Sequence, residues 1–410
     1  MIKQKKLKIL LLTKHFPPDV GGTETYIQNF LKFIQKKKDI LVDVLTFQPA
    51  QTKNPLPKVL EEENIRIFRS NLVNPNRFDR LINYELKKLP NSLRIFLIHL
   101  QLWIVNFFHF FHFLIRGFWF LRTNKIDLIY TVGGIFAGAT GSILSMIFRK
   151  KLVIHLHVVI NLNQSVIFKN IASSFFKKAD YILVNSLDVK NEMIQIGISD
   201  DKILIIRNWA DKVTFFPINQ EKCRMELKLP QEKFIFLFAT SLSEIKRVEL
   251  VLNVARRLRN NQDFLFLFIG NGPFKTKIEQ LQKRDRNILY FGVIKNENLP
   301  LYINASDISW GVCDVYYISL NTIESLLCGV PVIASKIAMS SEKKVSKETL
   351  PLSAGFLIDP NPKEIAEKLI EINRNRSVLK KMSSNCREFV KNNYGVHNAE
   401  KIYKIFRKNS

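Results

Sequence analysis

The chain has 410 residues, of which 47% are hydrophobic, and its 62 Lys and Arg against 36 Asp and Glu give a formal net charge of +26. This length exceeds one ordinary hydrophobic core and suits two α/β domains with some additional elements. The cysteines Cys223, Cys313, Cys328 and Cys386 lack zinc-ligand spacing and favour a reducing compartment. Neither a disulfide framework nor structural zinc is therefore expected.

The excess of basic residues has two interpretations, and the sequence leaves both open. It suits an anionic lipid surface or a polyanionic substrate, and it also suits a lysine-rich genome, because Lys, Ile, Asn and Phe are all abundant. No basic helix with interleaved aromatic residues and no RNA- or DNA-binding motif is present, so nucleic acid is not an expected partner.

The N-terminus does not have the pattern of a targeting segment. Its basic start is followed by an apolar run from Ile9 to Leu12 that is too short for a signal peptide. We therefore expect a cytoplasmic protein, and the membrane interpretation of the charge would place it at the inner face of the plasma membrane.

Short apolar runs alternate with helical segments, as they do in parallel βαβ units. In the first half, strands are predicted at 8–13, 42–47, 65–68, 127–132, 152–157 and 181–185, and a helix at 23–37. In the second half, strands are predicted at 234–240, 264–269, 288–291, 308–311 and 330–335, and helices at 247–260, 274–284, 299–304 and 322–328. Two doubly wound parallel sheets are thus predicted.

The stretch 95–115 contains no charged residue and is long enough to span a bilayer. It also carries five polar side chains, and a span would place later strands on the wrong side of the membrane, so none is expected. A core helix and an interfacial helix with Trp103 and Trp119 near its ends remain open. Basic residues precede it at Arg66, Arg69, Arg77, Arg80, Lys87, Lys88 and Arg94. Peripheral contact with an anionic membrane is therefore predicted through 66–120.

The periodicity breaks at 206–217, which we interpret as a domain boundary. The N-terminal domain is predicted over 1–207 and the C-terminal domain over 208–385. Two such domains would face a central cleft at the carboxyl ends of their strands, where open α/β sheets bind ligands.

Two glycine-containing loops follow predicted strands. Gly21 and Gly22 follow the first strand and open the first helix, and Gly270-Asn271-Gly272 follows a strand of the second half. Glycine permits positive φ and close approach of the backbone, and a helix N-terminus favours an anionic group. Plain turns without a ligand are the alternative for both loops.

The segment from Ser319 to Ser335 places one acid, Glu324, about one turn into a helix that is followed by an apolar strand. Ser319 or Asn321 can cap the helix, whose free N–H groups favour a phosphate. A carboxylate at position 324 can accept hydrogen bonds from a ribose. An ordinary helix with one surface glutamate is the alternative.

These segments together resemble the retaining GT-B glycosyltransferases of family 4, in the family's order and over nearly the whole chain. The Cys-Gly-x-Pro-Val-Ile run after Glu324 matches the family's, and the first of the family's two glutamates falls at Tyr316. A second segment is similar to the family's Gly-Arg-Leu-x-x-x-Lys-Gly. In it Lys246 is retained, Ser241 replaces the arginine, and Arg247 is a candidate to restore the missing charge.

The resemblance implies an α/β, GT-B fold with two Rossmann-like, doubly wound parallel-sheet domains. It implies a hexosyltransferase-type enzyme that moves a sugar from a UDP-sugar or GDP-sugar to a glycan or lipid-linked acceptor with retention, in envelope polysaccharide or glycolipid synthesis. No metal or other cofactor is expected. A helix over 386–410 that crosses back to the first domain is also implied.

The resemblance also implies roles for individual residues. The diphosphate is assigned to Lys246, Ser241, Asn321 and Thr322. The ribose is assigned to Glu324, and the loops at 21–22 and 270–272 complete the donor-binding set. His157, Lys246 and Glu324 are the expected catalytic residues.

The donor sugar is assigned to His157, with Asp314 or Tyr316 in place of the lost glutamate. His157 ends a predicted strand, as the family's active-site histidine does, and His155 lies two residues earlier on the same face. A histidine within the core is the alternative.

Two other functions remain open. One is a catalytically silent GT-B module that binds glycan or partners another transferase, because the first glutamate and the arginine are missing. The other is a sugar-nucleotide epimerase on the same fold. The sequence has no GxxxxGK[ST] loop, HExxH, GxSxG or DxD motif.

Overall fold

A computed structural model describes residues 6–408 except 15, 20, 50–53, 74–90, 158–165, 314–316, 339–342, 346 and 348. The chain divides into two compact units. The first runs up to Ile206 and takes in the chain from Ala399 onward, and the second is Arg207–Asn398. The predicted crossing segment 386–410 is therefore shared between the units.

The first unit is built on a parallel sheet. Its strands are β1 (Leu7–Leu12), β2 (Ile40–Gln48), β3 (Val59–Glu62), β4 (Ile65–Val73), β5 (Leu128–Gly133), β6 (Lys151–Leu156), β7 (Tyr181–Val184) and β8 (Ile203–Ile205). Over the described residues their order is β3-β4-β2-β1-β5-β6-β7-β8. Neighbours are parallel except β3 and β4, which pair antiparallel.

The helices of this unit are α1 (Gly22–Gln35), α2 (Asn91–Thr123), α3 (Ile135–Phe148), α4 (Val166–Phe176) and α5 (Leu187–Gln195). The central strands are nearly continuous apolar runs, as is typical of parallel strands that are buried on both faces. Leu10, Ile129, Ile154 and Ile182 of neighbouring strands share one buried core with Phe113 of α2.

The second unit has a six-stranded parallel sheet over the described residues. Its strands are β9 (Phe234–Ala239), β10 (Phe264–Ile269), β11 (Ile288–Tyr290), β12 (Ile308–Gly311), β13 (Val332–Ser335) and β14 (Gly355–Ile358). Their order is β11-β10-β9-β12-β13-β14. The helices are α6 (Gln220–Glu226), α7 (Val248–Arg257), α8 (Lys275–Gln282), α9 (Leu299–Ala305), α10 (Leu320–Leu327), α11 (Pro362–Arg374) and α12 (Ser377–Asn393).

Three pairs of phenylalanine rings set β9 against β10. The pairs are Phe234 with Phe264, Phe236 with Phe266 and Phe238 with Phe268, at centroid distances of 5.5, 5.3 and 5.6 Å. Alternate residues of a strand point to the same face, so the three pairs form one ladder. The register ends with Ala239 beside Ile269, so the loops after the two strands are neighbours.

The last helix, α13 (His397–Lys408), packs on the first unit. Glu400 accepts a hydrogen bond of 3.0 Å from Lys37 Nζ, and the Tyr403 hydroxyl donates to Asp39 at 2.8 Å. Phe406 is fully buried. The C-terminus of the chain is thus fastened to the first unit by both polar and apolar contacts.

Helix α2 has a buried face and an exposed face. Phe113 and Leu121 belong to the core of the first unit, whereas Phe108, Ile115 and Trp119 are exposed. Within 95–115, Phe113 lies in the core as the core-helix interpretation requires, and the interfacial helix stays a prediction. Across the part of the chain that is described, none of the helices has both the length and the apolarity needed to cross a lipid bilayer.

The predicted α/β fold with two parallel sheets is confirmed, and the predicted strands occur with ends shifted by a few residues. The prediction missed β3, β8 and β14. All three are short, and β3 is an exposed edge strand with two glutamates, so its sequence lacks the apolar run that marks a buried strand.

Candidate functional site

The predicted diphosphate residues of the second unit gather at the carboxyl ends of β9 and β12. Lys246 ends a 3₁₀ turn after β9, and α10 begins shortly after β12. Trp310 of β12, which is 2% exposed, connects the two segments. Its indole Nε1 donates to the main-chain carbonyl of Lys246 at 3.1 Å, and its own carbonyl accepts from Asn321 Nδ2 at 3.5 Å. The turn that carries Lys246 and the start of α10 are therefore neighbours.

Helix α10 begins without a side-chain cap. Ser319 occupies the N-cap position, but its hydroxyl bonds to the Asn321 and Thr322 side chains instead of a helix N–H. The prediction that Ser319 or Asn321 caps the helix is therefore wrong. Without such a cap the N–H groups of the first turn keep their partial positive charge, which favours an anion.

The Thr322 side chain has a structural role. It is fully buried, and its hydroxyl accepts from the Val312 N–H at 2.8 Å and donates to the Val312 carbonyl at 3.3 Å. These bonds hold the end of β12 against α10. Any contact of Thr322 with a diphosphate would therefore go through its main chain.

Glu324 is a buried carboxyl group, only 4% exposed. Its main-chain carbonyl accepts from the Cys328 N–H at 3.1 Å, whereas its carboxyl oxygens accept no hydrogen bond from the described residues. Burial raises its pKa to about 7, because removal from water disfavours the charged form. The alternative interpretation, an ordinary helix with one surface glutamate, is thus excluded. Asp314 and Tyr316, predicted to replace the missing glutamate, lie outside the described residues.

The guanidinium of Arg247, the candidate to restore the missing charge, bonds to the loop after β13. Its Nη2 donates to the main-chain carbonyls of Ile337 and Ala338 at 3.3 and 3.1 Å, after β13. Its φ of 57° lies in the left-handed region, and burial lowers the pKa of its guanidinium. Ser241, which stands at the arginine position, is exposed, with its hydroxyl 3.2 Å from that of Ser243.

The Gly270-Asn271-Gly272 loop is shaped by its contact with the loop after β9. Gly270 and Gly272 have φ of 135° and 158°, in the region that favours glycine. A Cβ at Gly270 would collide with the Thr240 carbonyl oxygen, and one at Gly272 with that of Leu242. Leu242 also donates its N–H to Asn271 O at 2.9 Å. The glycines are therefore required by packing, whether or not a ligand binds.

In the first unit, His157 directly follows β6 and belongs to a cluster of aromatic rings. Its ring centroid lies 4.1 Å from that of Tyr26 and 4.3 Å from that of His155. His155 is fully buried, with Nδ1 2.7 Å from the Tyr130 hydroxyl and 3.0 Å from the Tyr26 hydroxyl. Burial lowers the pKa of His155 well below its usual value. His155 is thus the core histidine, and His157 lies at the end of the strand.

Neither Gly21 nor Gly22 uses the positive φ that glycine permits. Gly21 is extended, with φ of 179°, and Gly22 is the first residue of α1. A Cβ at Gly21 would meet the carboxylate of the buried Glu24, whereas one at Gly22 would meet nothing within 4 Å. Gly21 therefore leaves space for a side chain of its own helix.

Sequence reasoning missed three residues of these clusters: Trp310, Tyr26 and Tyr130. Trp310 and Tyr130 lie within apolar strands and Tyr26 within the buried face of α1, so each matches an ordinary core position. In the described part of the chain no group of three or more His, Cys, Asp or Glu side chains could hold a metal ion.

Two family models match the chain. Residues 219–389 match the model described as Glycosyl transferases group 1, and residues 20–212 match Glycosyltransferase Family 4. Two relatives illustrate the range. The uncharacterized glycosyltransferase MJ1069 of Methanocaldococcus jannaschii is 24% identical over 98% of both chains. The predicted colanic acid biosynthesis glycosyl transferase WcaI of Escherichia coli K12 is 26% identical over 31% of this chain and 32% of its own.

Solved structures share the fold. Sucrose-phosphate synthase from Thermosynechococcus elongatus superposes with a TM-score of 0.70 at 18% identity, over 98% of this chain and 99% of the other. Anabaena Alr3699/HepE in complex with UDP superposes with a TM-score of 0.67 at 16% identity, over 98% and 100%. The two parallel-sheet units thus define the GT-B class. With the family matches, the chain is a group 1, family 4-like glycosyltransferase.

Proposed function

We propose that the chain transfers a sugar from a UDP-sugar or GDP-sugar to a glycan or lipid-linked acceptor, with retention. The observation that carries this proposal is a buried carboxyl group, Glu324, one turn into a helix that starts without a side-chain cap. A nucleoside diphosphate sugar has a partner for each: ribose hydroxyls for the carboxylate and phosphate oxygens for the helix N–H groups. The UDP complex of HepE supports a nucleotide donor.

The diphosphate contacts proposed are Lys246, Asn321, the Ser241 hydroxyl and the main chain at Thr322. When the sugar departs, negative charge grows on the β-phosphate. The Lys246 ammonium and the N-terminus of α10 would stabilise that charge electrostatically. Because these groups already supply positive charge, we expect no metal requirement, and activity that survives EDTA would agree.

The ribose contact proposed is Glu324. Its carboxylate would accept hydrogen bonds from the two ribose hydroxyls, and such bonds favour the charged form. Nucleotide binding should therefore lower the raised pKa of Glu324 and release a proton near neutral pH.

The roles of His157 and of Asp314 or Tyr316 at the sugar rest on the family resemblance, as does retention. The glycine loops at 21–22 and 270–272 are proposed to border the donor through their main chains. In the loop at 270–272, packing against the Thr240 and Leu242 carbonyls already requires glycine at both ends.

The acceptor proposed is an envelope glycan or a lipid-linked glycan at the cytoplasmic face of the membrane. The likeness to WcaI over a third of the chain supports a polysaccharide pathway. The exposed apolar face of α2 supports peripheral membrane contact through 66–120. Arg77, Arg80, Lys87 and Lys88 of that segment lie outside the described residues.

A catalytically silent module is the competing candidate, and one observation favours it. The Arg247 guanidinium bonds to main-chain carbonyls after β13, and a catalytically silent module would follow if these bonds keep its charge away from the position of Ser241. The diphosphate would then be held with less positive charge than in the family's pattern.

The test starts with a thermal-shift screen of UDP- and GDP-sugars, followed by release of UDP or GDP from the donor that binds. We expect Glu324→Gln to lower kcat/KM about tenfold or more, because hydrogen bonds to a charged group are lost. Glu388→Gln, at an exposed position of α12, is the matched control and should have little effect.

Equal activity of Glu324→Gln and wild type would refute the site. Binding without turnover would indicate the silent module, and a converted donor without acceptor would indicate an epimerase.

A further inference from the structure

A cavity of about 530 Å³ lies in the first unit between the β3–β4 pair and helix α2. Its polar and aromatic lining is Lys58, Phe68, Arg69, Ser70, His112 and Arg116. Strands β2, β1 and β5 separate β4 from β6, which His157 follows. The cavity is therefore a different place from the His157 cluster, and none of the proposed donor residues that the structure describes lines it.

Among the described residues, every ionisable side chain that lines this cavity is basic. Arg69 is 7% exposed, its Nη1 donates to the Pro57 carbonyl at 3.3 Å, and its buried Nε has no hydrogen-bond partner among the described residues. Arg116 Nη1 donates to the Thr46 carbonyl at 3.4 Å. Two guanidinium charges thus face the cavity with main-chain carbonyls as their hydrogen-bond partners.

These guanidinium groups are partly removed from water. Burial lowers the pKa of both Arg69 and Arg116, and Glu62 opposes the effect at Arg69 only. A desolvated charge without a close counter-ion is costly, and an anion in the cavity would offset that cost. Guanidinium groups form paired hydrogen bonds with carboxylate and with phosphate oxygens, and of the two anions a phosphate can carry the second negative charge that matches two guanidinium groups.

The other polar groups of the wall also suit a phosphate. His112 Nε2 and the Ser70 hydroxyl lie 2.7 Å apart. Burial lowers the pKa of His112, with Arg116 and His109 acting in the same direction, so the neutral imidazole is favoured. Because these two groups are hydrogen-bonded to each other, the pair keeps one O–H or N–H donor for a phosphate and adds no charge.

An apolar surface runs beside the cavity on the same helix. Phe108, His112 and Arg116 follow one another at four-residue spacing and form one row along α2, and Ile115 and Trp119 form the adjacent row. Phe108, Ile115 and Trp119 are 67%, 57% and 57% exposed. Exposed aromatic and aliphatic side chains next to cationic groups are typical of helices that lie in a lipid interface.

We propose that this cavity binds the phosphate or diphosphate group of a lipid. The hydrocarbon of that lipid would lie along the adjacent row of α2, which Ile115 and Trp119 form. The charge of the lining selects the phosphate, and the adjacent row selects a lipid over a free phosphorylated sugar. The inference deepens the proposed function and rests on it for one point, that the bound lipid is the carrier of the acceptor glycan.

The test measures co-sedimentation of the full chain with phosphatidylcholine vesicles that contain undecaprenyl phosphate. Vesicles in which oleate carries the same negative charge are the reference. We expect stronger binding to the phosphate vesicles, and Arg69→Gln and Arg116→Gln should each weaken it about tenfold. Arg122→Gln is the matched control, because it removes the same charge from an exposed position of α2. Ile115→Ser should weaken vesicle binding. Inorganic pyrophosphate should still compete with the vesicle binding that remains.

Equal binding to oleate and phosphate vesicles would overturn the proposal. Equal losses of vesicle binding in Arg116→Gln and Arg122→Gln would also overturn it, because both results would mean that the overall positive charge, and not the cavity, attracts the vesicles. Pyrophosphate binding with no vesicle binding would assign the cavity to a free phosphate and would also overturn it. Thermal melts establish that the variants are folded, and either arginine variant suffices for the conclusion. Donor hydrolysis without acceptor is measured on the same variants and should not change, so failure here is distinguishable from failure of the donor site.

Discussion

The indole of Trp310 donates a hydrogen bond of 3.1 Å to the main-chain carbonyl of Lys246. The bond joins the strand that leads to α10 with the turn that carries the proposed diphosphate lysine. Because Trp310 is buried, the bond forms away from bulk water, and its loss would leave that carbonyl without this donor.

Trp310→Phe keeps an aromatic ring and removes only the N–H donor. We expect the donor KM to rise about two- to tenfold with a smaller change in kcat, because the lysine turn loses its support while the reacting groups stay in place. Steady-state kinetics with the donor identified by the screen measure this. Trp119→Phe, on the exposed face of α2, is the control, and an unchanged KM in Trp310→Phe would contradict the positioning role.

Glu324 should make stability depend on pH. Its pKa is raised from 4.5 in the unfolded reference to about 7 in the folded chain, so the folded state binds the proton more tightly. The contribution to stability is fully present below about pH 4.5 and is lost as pH rises to about 7. The slope between these values is at most about 1.4 kcal/mol per pH unit.

The measurement is the free energy of unfolding in urea between pH 4.5 and 8, for wild type and Glu324→Gln. The variant carries no titratable group at 324, so it should become progressively more stable relative to wild type up to about pH 7, and the difference should then level off. Other groups titrate equally in both proteins and cancel. Parallel curves for the two proteins would show that the buried carboxyl does not titrate in this range.

Gly270→Ala should destabilise the second unit. The backbone there has φ of 135°, and the added Cβ would collide with the Thr240 carbonyl. We expect a loss of about 2 kcal/mol or more in the free energy of unfolding, since both strain and collision act.

The matched control is Gly22→Ala, where an added Cβ meets nothing within 4 Å and the residue begins a helix. Its free energy of unfolding should stay the same or rise slightly, because alanine favours a helix more than glycine does. Urea denaturation followed by tryptophan fluorescence compares the two. Equal effects of both substitutions would mean that the Gly270 loop adapts to a side chain.

The roles of Gly21, Thr322 and Arg247 show where sequence reasoning reached its limit. Each stands in a motif whose order predicted a donor contact. Gly21 instead makes room for Glu24, the Thr322 hydroxyl holds Val312, and the Arg247 guanidinium holds the loop after β13. The motif positions were predictable because they are local, whereas the direction of each side chain depends on neighbours that are distant in sequence.

The sequence by itself determined the two parallel sheets, because apolar strand runs and helical segments alternate with local periodicities that survive without tertiary information. It also determined which loops follow which strands. Only the tertiary structure decided that the Glu324 carboxyl group is buried without a hydrogen bond from the described part of the chain, and that Trp310 joins the turn at Lys246 to the start of α10. It likewise decided that Arg69 and Arg116 line one cavity. Burial and charge proximity arise from contacts across strands and helices, and no local sequence pattern encodes them.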